Sequence, residues 1–141
     1  MNNKLKLLIA DDDKEDVEIL LLALEEINFL GDILIAQDGI EVIKLLNEKE
    51  NIPDMILLDM NMPRMGGEEC LLKIREIDGL ENVPVVIYTT SSYPGEKDKL
   101  LTVGGASEYL TKEFSFKKIV EQIERLLQLY TSRSLTDTTH S

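Results

Sequence analysis

Carboxylates follow two of the chain's short apolar segments, and this arrangement could bind a cation. Asp11 and Asp12 come directly after the apolar run Leu5–Ala10, and Asp59 comes directly after Met55–Leu58. Crowded like charges are unfavourable unless a proton or a cation neutralises them. Oxygen ligands of this kind suit Mg²⁺, which binds through one or two carboxylates together with phosphate oxygens and water. We therefore predict Mg²⁺ as the cofactor.

Hydroxyl and ammonium groups follow two further apolar segments. Thr89 and two more hydroxyl residues come after Val85–Tyr88, and Lys112 comes shortly after Glu108–Leu110. Alone, the threonine would be an ordinary residue at a strand end and the lysine an ordinary surface residue. Together they are groups that could hold phosphate oxygens, since one donates from a hydroxyl and the other adds positive charge.

Apolar segments alternate with segments of helical period, which predicts an α/β fold. Five strand–helix pairs with short loops imply a doubly wound parallel sheet with helices on both faces. In such sheets the ligand crevice lies at the carboxyl ends of the strands, where the polar residues above fall. Asp13 is placed to cap the first helix. The predicted strands are Leu5–Ala10, Ile33–Ala36, Met55–Leu58, Val85–Tyr88 and Glu108–Leu110, and the predicted helices are Lys14–Ile27, Ile40–Glu48, Glu68–Ile77, Glu96–Val103 and Phe116–Tyr130.

Composition and net charge limit the possible partners of the protein and its cellular location. The 141 residues suit one domain, and the net charge of -12 argues against nucleic acid and anionic membrane surfaces as partners. The longest apolar run, Ile19–Leu24, is far below the roughly 18 residues of a membrane span. We expect a cytoplasmic protein with a domain over residues 1–130 and a polar, disordered tail over residues 131–141. His140, the only histidine, lies in that tail and is a poor candidate for catalysis.

Four motifs, in their order and spacing, resemble those of the receiver domain of two-component response regulators. They are ADDD after the first strand, LLDMNMPRMGG after the third, YTTS after the fourth and GASEYLTK around the fifth. The resemblance spans about Leu5 to Tyr130 and implies a flavodoxin-like fold with strand order 2-1-3-4-5. The pair Asp11-Asp12 with Asp16, plus TTSS, is similar to stand-alone receivers paired with bacterial phytochromes and other sensor histidine kinases.

The resemblance also implies a phosphorylation site and a metal site. Asp59 would accept a phosphoryl group from a kinase histidine. Asp11, Asp12 and Asp59 would hold Mg²⁺, together with the backbone carbonyl of Asn61. The domain is then a phospho-acceptor that catalyses its own phosphorylation and slow dephosphorylation, and is not a turnover enzyme.

A switch is implied by the same resemblance. Thr89 and Lys112 would contact the phosphoryl oxygens, and movement of the Thr89 hydroxyl would let the Tyr109 ring turn inward. The face formed by the fourth helix, fifth strand and fifth helix would then change shape. We expect no output domain after Tyr130, so the expected partners are a sensor histidine kinase and a downstream target or phosphotransfer protein. Homodimerisation through the same face is the alternative.

The chain departs from the family pattern at three places. The family usually has Lys-Pro with a cis bond after the fifth strand, whereas this chain has Lys112-Glu113, so the loop is either cis and strained or trans. We predict that Lys112 still reaches the site, because the preceding GASEYLT register is intact. Gly66-Gly67 stands where Asp-Gly is common and should loosen the third helix. The segment SSYPGEKD is about one residue longer than is typical.

Three other functions fit parts of the pattern. A Mg²⁺-dependent phosphohydrolase of the haloacid dehalogenase type needs a second Asp two residues after the acceptor, and Asn61 cannot ionise. A flavodoxin-like mononucleotide binder would leave the acidic cluster unexplained, and the chain has no tryptophan to sandwich a flavin. A pseudo-receiver that binds partners without phosphorylation is disfavoured because every acceptor-site residue is present.

Overall fold

Strands and α-helices alternate along the chain, as the sequence predicts. The computed structural model describes residues 4–90 and 94–131. The strands are Lys6–Ala10 (β1), Asp32–Ala36 (β2), Met55–Leu58 (β3), Val85–Thr89 (β4) and Glu108–Thr111 (β5). The α-helices are Lys14–Glu26 (α1), Gly39–Leu46 (α2), Gly67–Arg75 (α3), Glu96–Thr102 (α4) and Phe116–Tyr130 (α5), and a 3₁₀ turn lies at Lys49–Asn51.

The strands form a single parallel sheet in the order β2-β1-β3-β4-β5. This confirms both the fold class and the strand order. The residues of β3 are all buried, because neighbouring strands flank it and helices cover both of its faces. The reversal of strand order between β1 and β3 opens a crevice at their carboxyl ends.

Helices cover both faces of the sheet, which gives two separate apolar cores. One core lies under α1 and α5, and the other lies under α2, α3 and α4. Together they bury more than thirty apolar or mostly apolar side chains, so the sheet is held rigidly between two layers. The first core includes Leu20, Leu24, Leu57, Ile123 and Leu127, and the second includes Val42, Leu46, Leu58, Leu71, Ile74 and Leu100.

Side-chain caps begin three of the helices. The carboxylate of Asp13 accepts from the backbone N–H groups of Glu15 at 3.0 Å and Asp16 at 3.2 Å, as predicted. Asp38 caps α2 by accepting from the N–H of Glu41 at 2.8 Å, and Ser115 caps α5. These bonds satisfy donors that the first turn of a helix leaves unpaired. The third aspartate of ADDD is therefore a structural residue.

Gly67 allows close packing at the start of α3. A Cβ atom at this position would lie 2.5 Å from the backbone oxygen of Asp59 and 2.7 Å from the Cα of Met60. The helix therefore begins in close backbone contact with the two residues that follow β3. Gly66 is less restricted, since a Cβ there would meet only the carbonyl oxygen of Met60 at 3.3 Å.

The only cysteine, Cys70, lies within α3 and is fully buried. Its Sγ is 3.9 Å from the carbonyl oxygen of Gly39 on α2. Burial raises the pKa of the Cys70 thiol to about 12, because a thiolate would be poorly solvated there. The thiol therefore acts as a small apolar group between two helices.

Some sequence predictions fall outside the described residues. These are the hydroxyl residue Ser91 and the first part of SSYPGEKD, the polar tail beyond residue 131, and His140. Among the described residues, no helix is both long enough and apolar enough to cross a membrane.

Candidate functional site

Backbone hydrogen bonds between strands fix the positions of three candidate site residues. The N–H of Asp11 donates to the carbonyl of Ala36 at 3.0 Å, and the N–H of Asp59 donates to the carbonyl of Ala10 at 2.9 Å. The N–H of Lys112 donates to the last carbonyl of β4 at 2.9 Å. Each residue thus adds one further inter-strand hydrogen bond just beyond the end of a strand. These bonds hold its backbone in the same way as the backbone within the sheet.

Three carboxylates meet at this edge of the sheet. Asp11, Asp12 and Asp59 each offer a carboxylate oxygen, and these oxygens all lie within 4.8 Å of one another. Asp11 is 3% exposed and Asp59 is 7% exposed, whereas Asp12 faces solvent. The fold thus brings together the carboxylates that the sequence predicted to meet. Oxygen atoms at this spacing could hold a divalent cation that is reached from the Asp12 side.

The ammonium group of Lys112 lies among the same carboxylates. Its Nζ is 2.6 Å from Oδ2 of Asp11 and 2.8 Å from Oδ2 of Asp16, and 3.7 Å from Oδ2 of Asp59. The Lys112–Glu113 peptide bond is trans. The loop after β5 therefore brings the lysine to the edge of the sheet without a cis bond, and the ammonium lies beside Asp59 as expected.

Burial and hydrogen bonding both shift the pKa values of Asp11 and Lys112. Burial raises the pKa of Asp11 to about 6, although hydrogen bonds from Lys112 and from the Asp13 N–H oppose the rise. For Lys112 burial acts against the charged form, but the hydrogen bonds to Asp11 and Asp16 outweigh it and raise the pKa above its ordinary value. The lysine therefore stays positively charged at neutral pH, where Asp11 is mostly ionised.

Two further candidates flank the carboxylates. Thr89, the last residue of β4, is fully buried and pairs in register with Thr111 of β5. Asn61 lies in the loop after β3 and is exposed, and its backbone N–H donates to Oδ1 of Asp59 at 3.4 Å. Both residues lie at the carboxyl edge of the sheet, in the segments that directly follow or end the central strands.

Tyr109 lies on β5, with its ring directed into the protein. The residue is 5% exposed, and its hydroxyl donates a hydrogen bond to Oε1 of Glu96 in the first turn of α4. The structure therefore already holds the ring in the inward position, which is the one that the resemblance implies after movement of Thr89. An outward position of this ring would break the bond to Glu96.

Sequence reasoning missed two side-chain contacts, one within the site and one in the loop that follows Asp59. The motifs include Asp16 without indicating its partner, yet this residue shares the Lys112 ammonium with Asp11. Arg64, in the loop after β3, donates two hydrogen bonds to Asp38 at the start of α2. The residues of each pair are far apart in the chain, so no local pattern of apolar residues could indicate them.

Comparison with known proteins decides the family. The family model described as the response regulator receiver domain matches residues 7–124, which include every candidate site residue.

The chain belongs to the response regulator receiver domain family.

A relative with a similar sequence also belongs to histidine kinase signalling, as its name states. The chain is 30% identical over 139 residues to a hybrid signal transduction histidine kinase I of Dictyostelium discoideum. That match covers 95% of this chain but only 8% of the relative, so the chain spans a small part of that protein's length.

Solved receiver structures have the same fold. The Mn²⁺-bound form of response regulator Rcp1 is 25% identical, with a TM-score of 0.78 over 90% of this chain and 94% of that one. The phosphorylated cyanobacterial phytochrome response regulator RcpA is also 25% identical, with a TM-score of 0.79 over 93% of this chain and 96% of that one. The chain is thus a receiver domain of two-component signalling, similar to Rcp1 and RcpA.

Proposed function

We propose that this receiver domain accepts a phosphoryl group on Asp59 from a sensor histidine kinase. The observation that carries the proposal is the surroundings of the Asp59 carboxylate. It lies near the carboxylates of Asp11 and Asp12, with the oxygens all within 4.8 Å, and 3.7 Å from the Lys112 ammonium. An acceptor in these surroundings is a nucleophile beside groups that can bind and neutralise a phosphoryl group.

The transfer makes one bond and breaks one bond. A carboxylate oxygen of Asp59 attacks phosphorus in line, and the bond from phosphorus to the kinase histidine nitrogen breaks. The imidazole leaves with the electron pair, and the product on Asp59 is a mixed anhydride. The ammonium of Lys112 stabilises the negative charge on the phosphoryl oxygens.

Mg²⁺ is the cofactor we propose for this step. Asp11, Asp12 and Asp59 would hold it together with the backbone carbonyl of Asn61, and this set of oxygen donors suits a hard divalent cation. When bound, the ion supplies positive charge beside the transferred phosphoryl group. The Mn²⁺-bound form of the similar protein Rcp1 supports a divalent cation in this family.

The phosphorylated domain would act as a switch. Asn61 cannot serve as a general base for water as a second carboxylate could, which favours a persistent phosphoryl group over rapid hydrolysis. Thr89 and Tyr109 would transmit the change to the face formed by α4, β5 and α5. Because the Tyr109 hydroxyl is bonded to Glu96, the switch would act on the contact between β5 and α4. A downstream protein, a phosphotransfer protein or a second copy of the chain would recognise this face in the cytoplasm.

Phosphorylation with a small donor tests the proposal. The protein is incubated with acetyl phosphate and Mg²⁺, and intact mass is expected to show one added phosphoryl group. Asp59→Asn should abolish the addition and EDTA should prevent it, whereas Asp78→Asn, at an exposed position, should leave it unchanged. An unmodified wild-type protein, or addition that persists in Asp59→Asn, would contradict the proposal. Steady turnover of a phosphate monoester would instead favour a phosphohydrolase.

A further inference from the structure

The Lys112 ammonium lies closer to two of the neighbouring carboxylates than to the third. An ammonium group has three N–H donors. Two carboxylates lie within hydrogen-bond distance of Nζ, Asp11 at 2.6 Å and Asp16 at 2.8 Å, whereas Asp59 is at 3.7 Å. The bonds to Asp11 and Asp16 account for two donors. One donor is left for a group at Asp59.

Asp16 approaches the site from a rigid element. It lies in the first turn of α1, and its backbone N–H is bonded to the capping carboxylate of Asp13. The helix packs against α5 over a buried apolar core. Asp16 is not among the carboxylates that cluster within 4.8 Å, so the contact that ties it to the site is the one with Lys112.

The Lys112 side chain is only 9% exposed, but packing does not fill all the space around it. A cavity of about 180 Å³ lies beside it, and its lining includes Asp16, Tyr88, Lys112 and Phe114. Phe114, two residues along the loop, is 99% exposed, so its ring does not anchor this segment in a core. A side chain beside such a space can change rotamer unless polar contacts restrain it.

We propose that Asp16 is a positioning residue for phosphorylation that acts through Lys112. Together with Asp11 it restrains two of the three donors, so that the third faces the phosphoryl group on Asp59. Asp16→Asn removes the charge that holds the ammonium on the α1 side. The lysine then samples the adjacent cavity, and its contact with the phosphoryl oxygens weakens. The inference rests on the proposed function, since it concerns the rate of the same reaction.

A double-mutant cycle tests the inference. Rates of phosphorylation by acetyl phosphate at saturating Mg²⁺ are measured by intact mass for wild type, Asp16→Asn, Lys112→Met and the double variant. Asp16→Asn should slow the reaction about tenfold, the effect of one charge-assisted hydrogen bond. In the Lys112→Met background it should have no further effect. Glu15→Gln, which removes a charge from the same turn, should react like wild type.

The affinity for Mg²⁺ shows whether Asp16 positions Lys112 or is itself a metal ligand. The dissociation constant for Mg²⁺, measured by calorimetry, should be the same within about twofold in Asp16→Asn and wild type, because the proposed metal ligands are unchanged. A tenfold weaker constant would overturn the inference by making Asp16 a metal ligand. Equal phosphorylation rates in Asp16→Asn and wild type, or independent effects of the two substitutions, would overturn it as well.

A measurement on metal-free protein distinguishes this inference from the proposed function. The ¹⁵N-detected signal of the Lys112 ammonium, assigned by its loss in Lys112→Met, should be visible in wild type because its hydrogen bonds slow exchange with water. It should broaden or vanish in Asp16→Asn. If wild type is not phosphorylated but this change is seen, the proposed function fails while the contact stands. An unchanged signal overturns the contact itself.

Discussion

The guanidinium of Arg64 donates two hydrogen bonds to a single carboxylate oxygen of Asp38, at 3.0 Å from Nε and 2.7 Å from Nη2. The contact joins the loop that follows Asp59 to the start of α2. Hydrogen bonds from the Glu41 N–H and from Arg64 hold the pKa of Asp38 below its ordinary value. Arg64 adopts a left-handed backbone conformation, with φ at 65°, which a residue with a Cβ enters at a cost.

Substitutions of Arg64 separate the effect of its hydrogen bonds to Asp38 from the cost of its left-handed backbone conformation. Arg64→Ala loses the hydrogen bonds and keeps the backbone cost, so the free energy of unfolding should fall by about 1 kcal/mol. Arg64→Gly also loses the bonds but relieves the backbone, and should remain closer to wild type. Urea denaturation measures both. Equal losses in the two variants would show that backbone strain at this position is negligible.

Gly67 and Gly66 form a matched pair for testing the start of α3. Gly67→Ala should destabilise the protein by about 2 kcal/mol, because its methyl group would overlap the backbone of Asp59 and Met60. Gly66→Ala should cost less, about 0.5 to 1 kcal/mol, because a Cβ there would meet only the carbonyl oxygen of Met60 at 3.3 Å and an N-cap prefers glycine to alanine. Thermal unfolding of the two variants gives the comparison. The prediction fails if both shift the midpoint equally.

Arg75 joins three segments of the chain at the end of α3. Its guanidinium donates to the carbonyl oxygens of Leu80 at 3.0 Å, Val83 at 2.8 Å and Gly105 at 2.8 Å. Arg75→Lys keeps the charge but cannot reach all three, so we expect a loss of about 2 kcal/mol in unfolding free energy. Lys73→Gln, at a neighbouring exposed position, is the control. A stable Arg75→Lys variant would mean that water replaces these bonds at little cost.

The pKa of Asp11 predicts how stability depends on pH in the metal-free protein. Burial raises this pKa from 3.8 to about 6, so the folded state binds the proton more tightly than the unfolded chain. The stabilisation of the folded state by this proton, about 3 kcal/mol, is present below about pH 4 and is lost as the pH rises through about 6.

The experiment is urea denaturation in EDTA between about pH 4 and pH 7. The difference in unfolding free energy between wild type and Asp11→Asn, which cannot titrate, should decrease over this range. Carboxyl groups that do not interact with Asp11 or Lys112 contribute equally to both proteins and cancel in the difference. A difference that is independent of pH would show that the pKa of Asp11 is ordinary.

Local patterns predicted the elements well where the pattern was complete. The bounds of β3 at Met55–Leu58 and α5 at Phe116–Tyr130 agree with the sequence prediction, since one is uninterrupted and apolar and the other has a regular apolar stripe. The prediction ended β5 one residue early because Thr111 belongs to it only through pairing with Thr89. The 3₁₀ turn at Lys49–Asn51 has no apolar period and was not predicted.

The sequence predicted those features of the site that follow from the positions of the strand ends. Residues at the ends of parallel strands converge, so the meeting of Asp11, Asp12 and Asp59 followed from the strand pattern. Contacts between side chains on different elements did not follow from it. Lys112 and Asp16 are 96 residues apart in the chain, and Arg64 and Asp38 are 26 apart. Such pairs depend on loop paths and rotamers that no periodicity encodes.

The burial of Cys70 has a practical consequence for spectroscopy. It is the only cysteine in the chain, and its raised pKa and lack of exposure keep the reactive thiolate from forming in the native protein. A cysteine introduced on the surface would therefore be the one group that maleimide reagents modify. Spin labels or fluorophores could be attached at chosen positions on α4 or α5 without first replacing the native residue.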